Sequence, residues 1–341
     1  MSNRPLSRAW HLASRPDGLI RPENFALRES RAPTPGEGQA LVRIIYVSLD
    51  PTDRIWASAR EQYMTPVDIG EVMRSVALGV VTESNQPGLK PGDIVYGLLG
   101  WQDYVLVDKR SPVMKVERRP GVPLTAQLGL TGFIGITAYV GVIDILKPKP
   151  GETMVVTTAA GAVGSIAAQI GKIMGCRVVG VTGSDAKCRW LLDELQLDAA
   201  INYKTENVEA ALRRHCPKGI DTVFENVGGA QLDASLALVN HFARIAVCGL
   251  ISTYNTEAAV PGPSRFTQVL MHRLLIKGFI GGDHPERFAE AQDALAKWHQ
   301  EGRMAYRVHI EDGFEAIPHA VNLLFTGQHD GKLIVRLAPE P

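Results

Sequence analysis

No cysteine precedes Cys176, and the whole chain of 341 residues has only four: Cys176, Cys188, Cys216 and Cys248. None forms a CxxC pair, so neither a disulfide framework nor a thiolate zinc lobe is expected, and a reducing compartment fits. Cys248 follows the strand-like "RIAV" and reads as a small buried hydrophobe rather than a nucleophile. Histidine is just as thin in the first half, where His11 stands alone before Cys176. A catalytic zinc needs about three protein ligands and a structural zinc four. His215 and His284 are isolated and read as surface residues, so no metal site is expected. An excess of either charge is also missing, with Lys+Arg and Asp+Glu balanced at 36 each. Nothing in that balance draws nucleic acid or an anionic membrane. No apolar run reaches the roughly 18 residues of a membrane span. The start, "MSNRPLSRAWHLASRPDG", lacks the apolar centre of a secretory signal, and the expected location is the cytoplasm.

What is present divides into two rhythms. Residues 1–128 carry short β-like runs, "ALVRIIYVSL", "SVALGVVTES" and "DIVYGLLGWQDYVLV", punctuated by "TPGEG" and "QPGLKPGD". That pattern predicts a compact, mostly β domain. From about Leu130 apolar strands alternate with helical stretches. "TMVVTT", "RVVGVTG", "AAINY", "DTVFENV", "RIAVCGL" and "LIKGFI" give six strands of a doubly wound parallel sheet over 129–303. The tail, 304–341, mixes strand, helix and strand and is expected to return to the first domain.

Between the first two of those strands lies "TTAAGAVGSIAAQIGKIMGC", where Ala159-x-Gly161-x-x-Gly164 occupies a strand-to-helix turn. The dinucleotide fingerprint has this form, with Ala159 in place of its first glycine. Gly161, Ala162, Val163 and Gly164 are the candidate pyrophosphate residues. Gly161 lets the backbone approach the phosphates, Gly164 lets the helix pack close to its strand, and the helix N-terminus offers free N–H groups. NAD sites place a carboxylate at the end of the second strand. Here Thr182, Gly183 and Ser184 fill that turn, Asp185 reads as a helix N-cap, and Lys187 follows. Small hydroxyl residues beside a cation suit a 2′-phosphate, so the expected cofactor is NADP.

Taken together, "AAGAVGS", "GCRVVGVTGSDAKC", "INYKT", "DTVFENVGG", "CGLISTYN" and the final "GK" resemble the zinc-independent medium-chain reductases. "WHLASRPDG", "PENFALRE", "VSLDP", "PVDIGEVM" and "GWQDYVLV" extend the likeness to almost the whole chain. The branch resembled is that of leukotriene B4 dehydrogenase and prostaglandin reductase, with curcumin reductases and 2-alkenal double-bond reductases. The resemblance implies a GroES-like catalytic domain, a Rossmann domain, a cleft active site between them and a homodimer. It implies NADPH-dependent hydride transfer to the β-carbon of an α,β-unsaturated aldehyde or ketone. A quinone reductase, or an NADPH-binding protein without turnover, is the alternative.

The same resemblance implies roles residue by residue. Tyr254 matches the tyrosine beside nicotinamide and substrate, able to orient the ribose, donate to an enolate or shuttle a proton. Asn226 matches a cofactor contact, Tyr203 and Lys187 the adenosine-phosphate side, and Phe279 and Ile280 backbone contacts to the nicotinamide. Cys248 is placed with these cofactor-side residues. Two positions depart from the pattern. Thr52 stands where relatives carry the tyrosine of "DPYMR", and His329 where they carry the asparagine of "NxGK". Tyr63, in "EQYMTPVDIG", is an alternative phenol for the substrate pocket.

Overall fold

The computed structural model describes residues 4–256 and 258–341. Residues 1–3, at the head of the expected first domain, lie outside the described range. The chain opens with an antiparallel hairpin of β1 (Leu6–Leu12) and β2 (Phe25–Arg31). It continues through β3 (Ala40–Ser48), the short helix α1 (Pro51–Trp56), β4 (Val76–Ser84), β5 (Ile94–Leu98), β6 (Tyr104–Val107) and β7 (Val113–Lys115). Helix α2 (Phe133–Tyr139) then leads to β8 (Thr153–Thr157), α3 (Ala162–Ile173), β9 (Arg177–Thr182), α4 (Asp185–Asp193) and β10 (Ala199–Asn202). After these come α5 (Val208–His215), β11 (Ile220–Glu225), α6 (Gly229–Leu236), β12 (Val239–Val247), α7 (Gln268–Met271), β13 (Leu275–Gly278) and α8 (Phe288–Gln300). Two late strands, β14 (Val308–Asp312) and β15 (Lys332–Arg336), close the series.

Two sheets hold the molecule together. Strands β8 to β13 form a six-stranded sheet in the order β10-β9-β8-β11-β12-β13, parallel throughout. This is the doubly wound order in which the chain reverses direction of growth after its third strand. Parallel strands covered on both faces must be apolar throughout, and Thr153–Thr157 and Val178–Thr182 are buried without interruption. Each Val, Ile or Leu so buried contributes about 1.5–3 kcal/mol. The other sheet has seven strands, β14-β15-β3-β4-β5-β7 with β6 paired to β3. Its pairs are antiparallel except for β14 with β15. Strand β15 lies against β3, with Ile334 opposite Ser48. The last part of the sequence therefore builds the same sheet as the first.

Glycine fixes the tightest approach between a helix and its sheet. A Cβ on Gly164 would meet the Thr158 carbonyl oxygen at 2.2 Å, and one on Gly171 would meet Met154 Sδ at 2.6 Å. Larger residues there would lift α3 off β8. After α2 the helix continues as a π-helical stretch, Val140–Leu146. A Cβ on Gly141 would strike Phe224 at 2.5 Å and Phe279 at 2.7 Å. The sequence reading assigned no helix here, yet this segment sets the position of Phe279.

Candidate active-site cleft

Local chain geometry builds the glycine turn. Strand β8 ends at Thr157, and Thr158 takes a left-handed backbone with φ of 52°. That is costly for a β-branched residue and is typical of strained functional turns. Gly161 is the extended N-cap of α3 and caps nothing with a side chain. The first N–H groups of a 12-residue helix are thereby left for an anion. The backbone of Gly161 also bridges Gly331, so the C-terminal "GK" segment abuts the turn.

At the end of β9 the cap is Ser184, whose Oγ accepts the Lys187 N–H at 3.2 Å. Asp185 is therefore not the N-cap, contrary to the sequence reading. It is the first helical residue, and its carboxylate accepts from Asn202 Nδ2 at 2.7 Å. Lys187 extends across to the Gly327 carbonyl at 2.8 Å. Burial lowers its pKa, Asp330 opposes that, and Lys204 adds to it. Lys204, overlooked in the sequence, reaches the neighbouring Thr326 carbonyl at 3.4 Å. Tyr203 is exposed beside Gly183, and a Cβ on that glycine would meet its hydroxyl at 3.0 Å. Ser184, Lys187, Tyr203 and Lys204 thus gather beyond the ends of β9 and β10, with both lysines on the carbonyls of 326 and 327. His329 is buried nearby and holds the Leu323 carbonyl through Nδ1 at 3.0 Å. Burial first, and Lys187 second, press its pKa down to about 4. The ring is neutral at pH 7.

Nearer the switch between β8 and β11, the side chain of Asn226 donates to the Thr157 carbonyl at 2.6 Å, and its N–H donates to Thr157 Oγ1 at 2.8 Å. Behind them Glu225 is fully buried. Its Oε1 accepts the N–H groups of Val227 and Gly228, both at 2.7 Å, and the Thr157 hydroxyl at 3.1 Å. Sequence reasoning missed this residue, although an acid closing an apolar strand before a glycine pair was a usable signal. Cys248 sits close by on β12's end, its thiol pushed up to about 12 by burial and then by Glu225. A thiol held protonated in this way is a poor nucleophile. Phe279 and Ile280 follow β13, with Phe279 edge-on to Phe224.

The opposite wall comes from the first sheet. Asp50 precedes α1, and its N–H donates to Asp53 Oδ2 at 3.0 Å. Lys332, fully buried on β15, reaches Asp50 Oδ1 at 2.6 Å and the Leu49 carbonyl at 2.8 Å. Burial and the negative Asp50 hold the Asp53 carboxyl well above the ordinary range. This polar knot fixes the first turn of α1, which carries Thr52. Tyr63 presents half its surface to solvent. Its pKa is raised by burial, then by Tyr254, Asp53 and Asp50, while a hydrogen bond with the Thr52 side chain acts the other way. Thr52 and Tyr254 thus both act on the Tyr63 phenol, Thr52 from the first turn of α1 and Tyr254 from the turn after β12. Arg60 spans the cleft, donating to the Thr253 carbonyl at 2.7 Å. Tyr254 closes a 3₁₀ turn, and its oxygen accepts the Leu250 N–H at 3.2 Å. Burial raises its pKa, so its O–H stays protonated at neutral pH. Among the described residues no cluster of three or more His, Cys, Asp or Glu is placed to hold a metal ion, and no helix is long and apolar enough to cross a membrane.

Known proteins resemble this chain over nearly its whole length. The model of an oxidoreductase N-terminal domain matches residues 8–116, and that of a zinc-binding dehydrogenase matches residues 162–297. The NADPH-dependent curcumin reductase of Escherichia coli is 44% identical over 97% of each chain. The chain is a medium-chain dehydrogenase/reductase of the curcumin reductase and prostaglandin reductase branch. Prostaglandin reductase 1 of Sus scrofa is 37% identical, over 97% of this chain and 99% of that protein. CurA from Vibrio vulnificus, solved in complex with NADPH, superposes with a TM-score of 0.92 at 40% identity, covering 98% of this chain and all of the other.

Proposed function

We propose that this reductase uses NADPH to saturate the C=C bond of α,β-unsaturated aldehydes and ketones. The observation that carries the reading is a glycine turn whose helix N-terminus is left free for an anion, in a chain whose Tyr63 phenol is acted on by both Thr52 and Tyr254. NADPH, when bound, supplies a hydride to the substrate's β-carbon. Negative charge then grows on the carbonyl oxygen, and neutral O–H donors held at that oxygen stabilise it. Tyr254 is suited to donate, because its oxygen already accepts from Leu250 and its hydrogen remains uncommitted among the described residues. Tyr63, braced by Thr52, supplies a second phenol where the branch pattern has a tyrosine at position 52.

On the cofactor side, Gly161, Ala162, Val163 and Gly164 would hold the pyrophosphate, and Ser184, Lys187 and Tyr203 the 2′-phosphate. Asn226, Cys248, Phe279 and Ile280 would border the nicotinamide half, and His329, close to Lys187, is a further cofactor-side residue. The names of the relatives, an NADPH-dependent curcumin reductase and an NADPH complex, support the cofactor. In this reading residues 1–128 with 304–341 form the catalytic domain and 129–303 the NADP-binding domain. The protein works in the cytoplasm as a homodimer. Edge strand β13 supports the dimer, since among the described residues it pairs only with β12 and leaves Leu275, Ile276, Leu270, Met271, Phe266 and Phe242 exposed around it. A patch of this kind on a free edge invites a second copy. Sedimentation of the protein and of Leu270→Glu tests that part. Incubation with NADPH and an enone tests the activity, with the saturated ketone as the expected product.

A further inference from the structure

Glu225 is an expensive residue in its place. It ends β11, directly beside Thr157 at the end of β8, and these two strands flank the point where the sheet order reverses. Ligands of doubly wound sheets lie in the crevice beyond such strand ends. Its Oε1 is well satisfied by three donors, whereas Oε2 is buried with no hydrogen-bond partner. No Lys, Arg or His pairs with it among the described residues. Burying an unpaired carboxylate oxygen is costly. A glutamine could accept the same three donors through its carbonyl, although its amide N–H groups would then lie unpaired in the place of Oε2. What only glutamate adds is negative charge.

We propose that the buried carboxylate of Glu225 is a fixed counter-charge to the nicotinamide ring, favouring the oxidised, positively charged cofactor over the neutral reduced one. The inference rests on the reading of this crevice as the NADP site. A ring that gains positive charge on giving up hydride is stabilised by a nearby anion that water cannot screen. The three donors lock the carboxylate in place, so it needs no reorganisation when that charge appears. The same lattice fixes Asn226 through Thr157, leaving Asn226 Oδ1 without a donor among the described residues. Burial raises the Glu225 pKa to about 6, against the pull of the Gly228, Val227 and Thr157 hydrogen bonds. The titratable group facing it is the Cys248 thiol, which stays neutral through this range. The charge is therefore present at pH 8 and is withdrawn as pH falls through 6.

The test is the ratio of dissociation constants, Kd(NADP⁺)/Kd(NADPH), measured by calorimetry and by cofactor fluorescence. Phosphate contacts are common to both forms and cancel in the ratio. For Glu225→Gln the ratio should rise about tenfold over the native protein at pH 8, the effect of one partly screened unit charge. The native ratio should itself climb between pH 8 and pH 5.5, while that of the variant stays flat. A variant ratio within twofold of native, or an equal loss of affinity for both forms, overturns the proposal and leaves Glu225 as scaffold. If the variant fails to fold, the native pH series decides alone, and a flat native ratio is the contrary result. Failure of the native protein to bind either nucleotide would instead overturn the NADP reading itself.

Discussion

The Tyr254 oxygen accepts the Leu250 N–H at 3.2 Å and so directs its own hydrogen away from the backbone. In the proposed reaction that hydrogen meets the substrate oxygen or its α-carbon. Tyr254→Phe removes the donor while keeping the ring, and turnover should fall about ten- to a thousandfold. NADPH affinity should change little. Stopped-flow measurement of the hydride-transfer step checks this, and a native rate would leave Tyr254 a packing residue.

Lys187 and Lys204 both end on carbonyls of the 326–327 turn, at 2.8 and 3.4 Å. A charge-assisted contact to a 2′-phosphate is worth about 1.5–3 kcal/mol. NADPH should therefore be preferred over NADH by at least tenfold, and Lys187→Ala should erase most of that preference with NADH use unchanged. Lys204→Ala should erode it further. Kd values for the two nucleotides across the three proteins give the answer. Equal native affinities would refute the assignment.

Thr52 is several ångströms shorter than the tyrosine of the branch pattern, and its side chain acts on the Tyr63 phenol. Thr52→Tyr should displace Tyr63 and narrow the pocket. We expect kcat/KM to rise for a small enal and to fall for a bulky enone. Rates that move together for both substrates would show that position 52 does not shape the pocket.

His329 carries a stability signature. Its folded pKa, about 4, lies below the ordinary value of 6.5. Between these values the unfolded chain binds the proton and the folded one does not, so stability rises with pH through this window and is lost on acidification. Over the full window the loss is about 3 kcal/mol. His329→Asn should remove that share, so that its urea midpoint falls less than the native midpoint between pH 7 and pH 5. Parallel losses in the two proteins would contradict the linkage.

The periodic features of this chain were legible in the sequence, and its three-dimensional convergences were not. Six apolar runs separated by helical stretches sufficed for the parallel sheet, because each strand announces its own burial. Gly161 and Gly164 announced the turn between strand and helix. Asp185 misled, since serine and aspartate both cap helices and only the backbone shows that Ser184 occupies the extended cap position. Lys204 and Glu225 escaped because their meaning depends on partners over a hundred residues away or on a hidden oxygen. That Thr52 and Tyr254 both act on the Tyr63 phenol depends on how two sheets face each other, which no local pattern encodes. Lys332 is similar: a lysine in "GKLIVRL" looks solvated, yet it is fully buried against Asp50.

The most direct test of the account follows an isotope. NADPH deuterated at the transferable position is incubated with the protein and one α,β-unsaturated ketone, and the product is read by NMR. The account predicts a saturated ketone with one deuterium on the β-carbon and a solvent-derived hydrogen on the α-carbon. Deuterium on the carbinol carbon of an allylic alcohol, or NADPH oxidation only when a quinone replaces the enone, would contradict it.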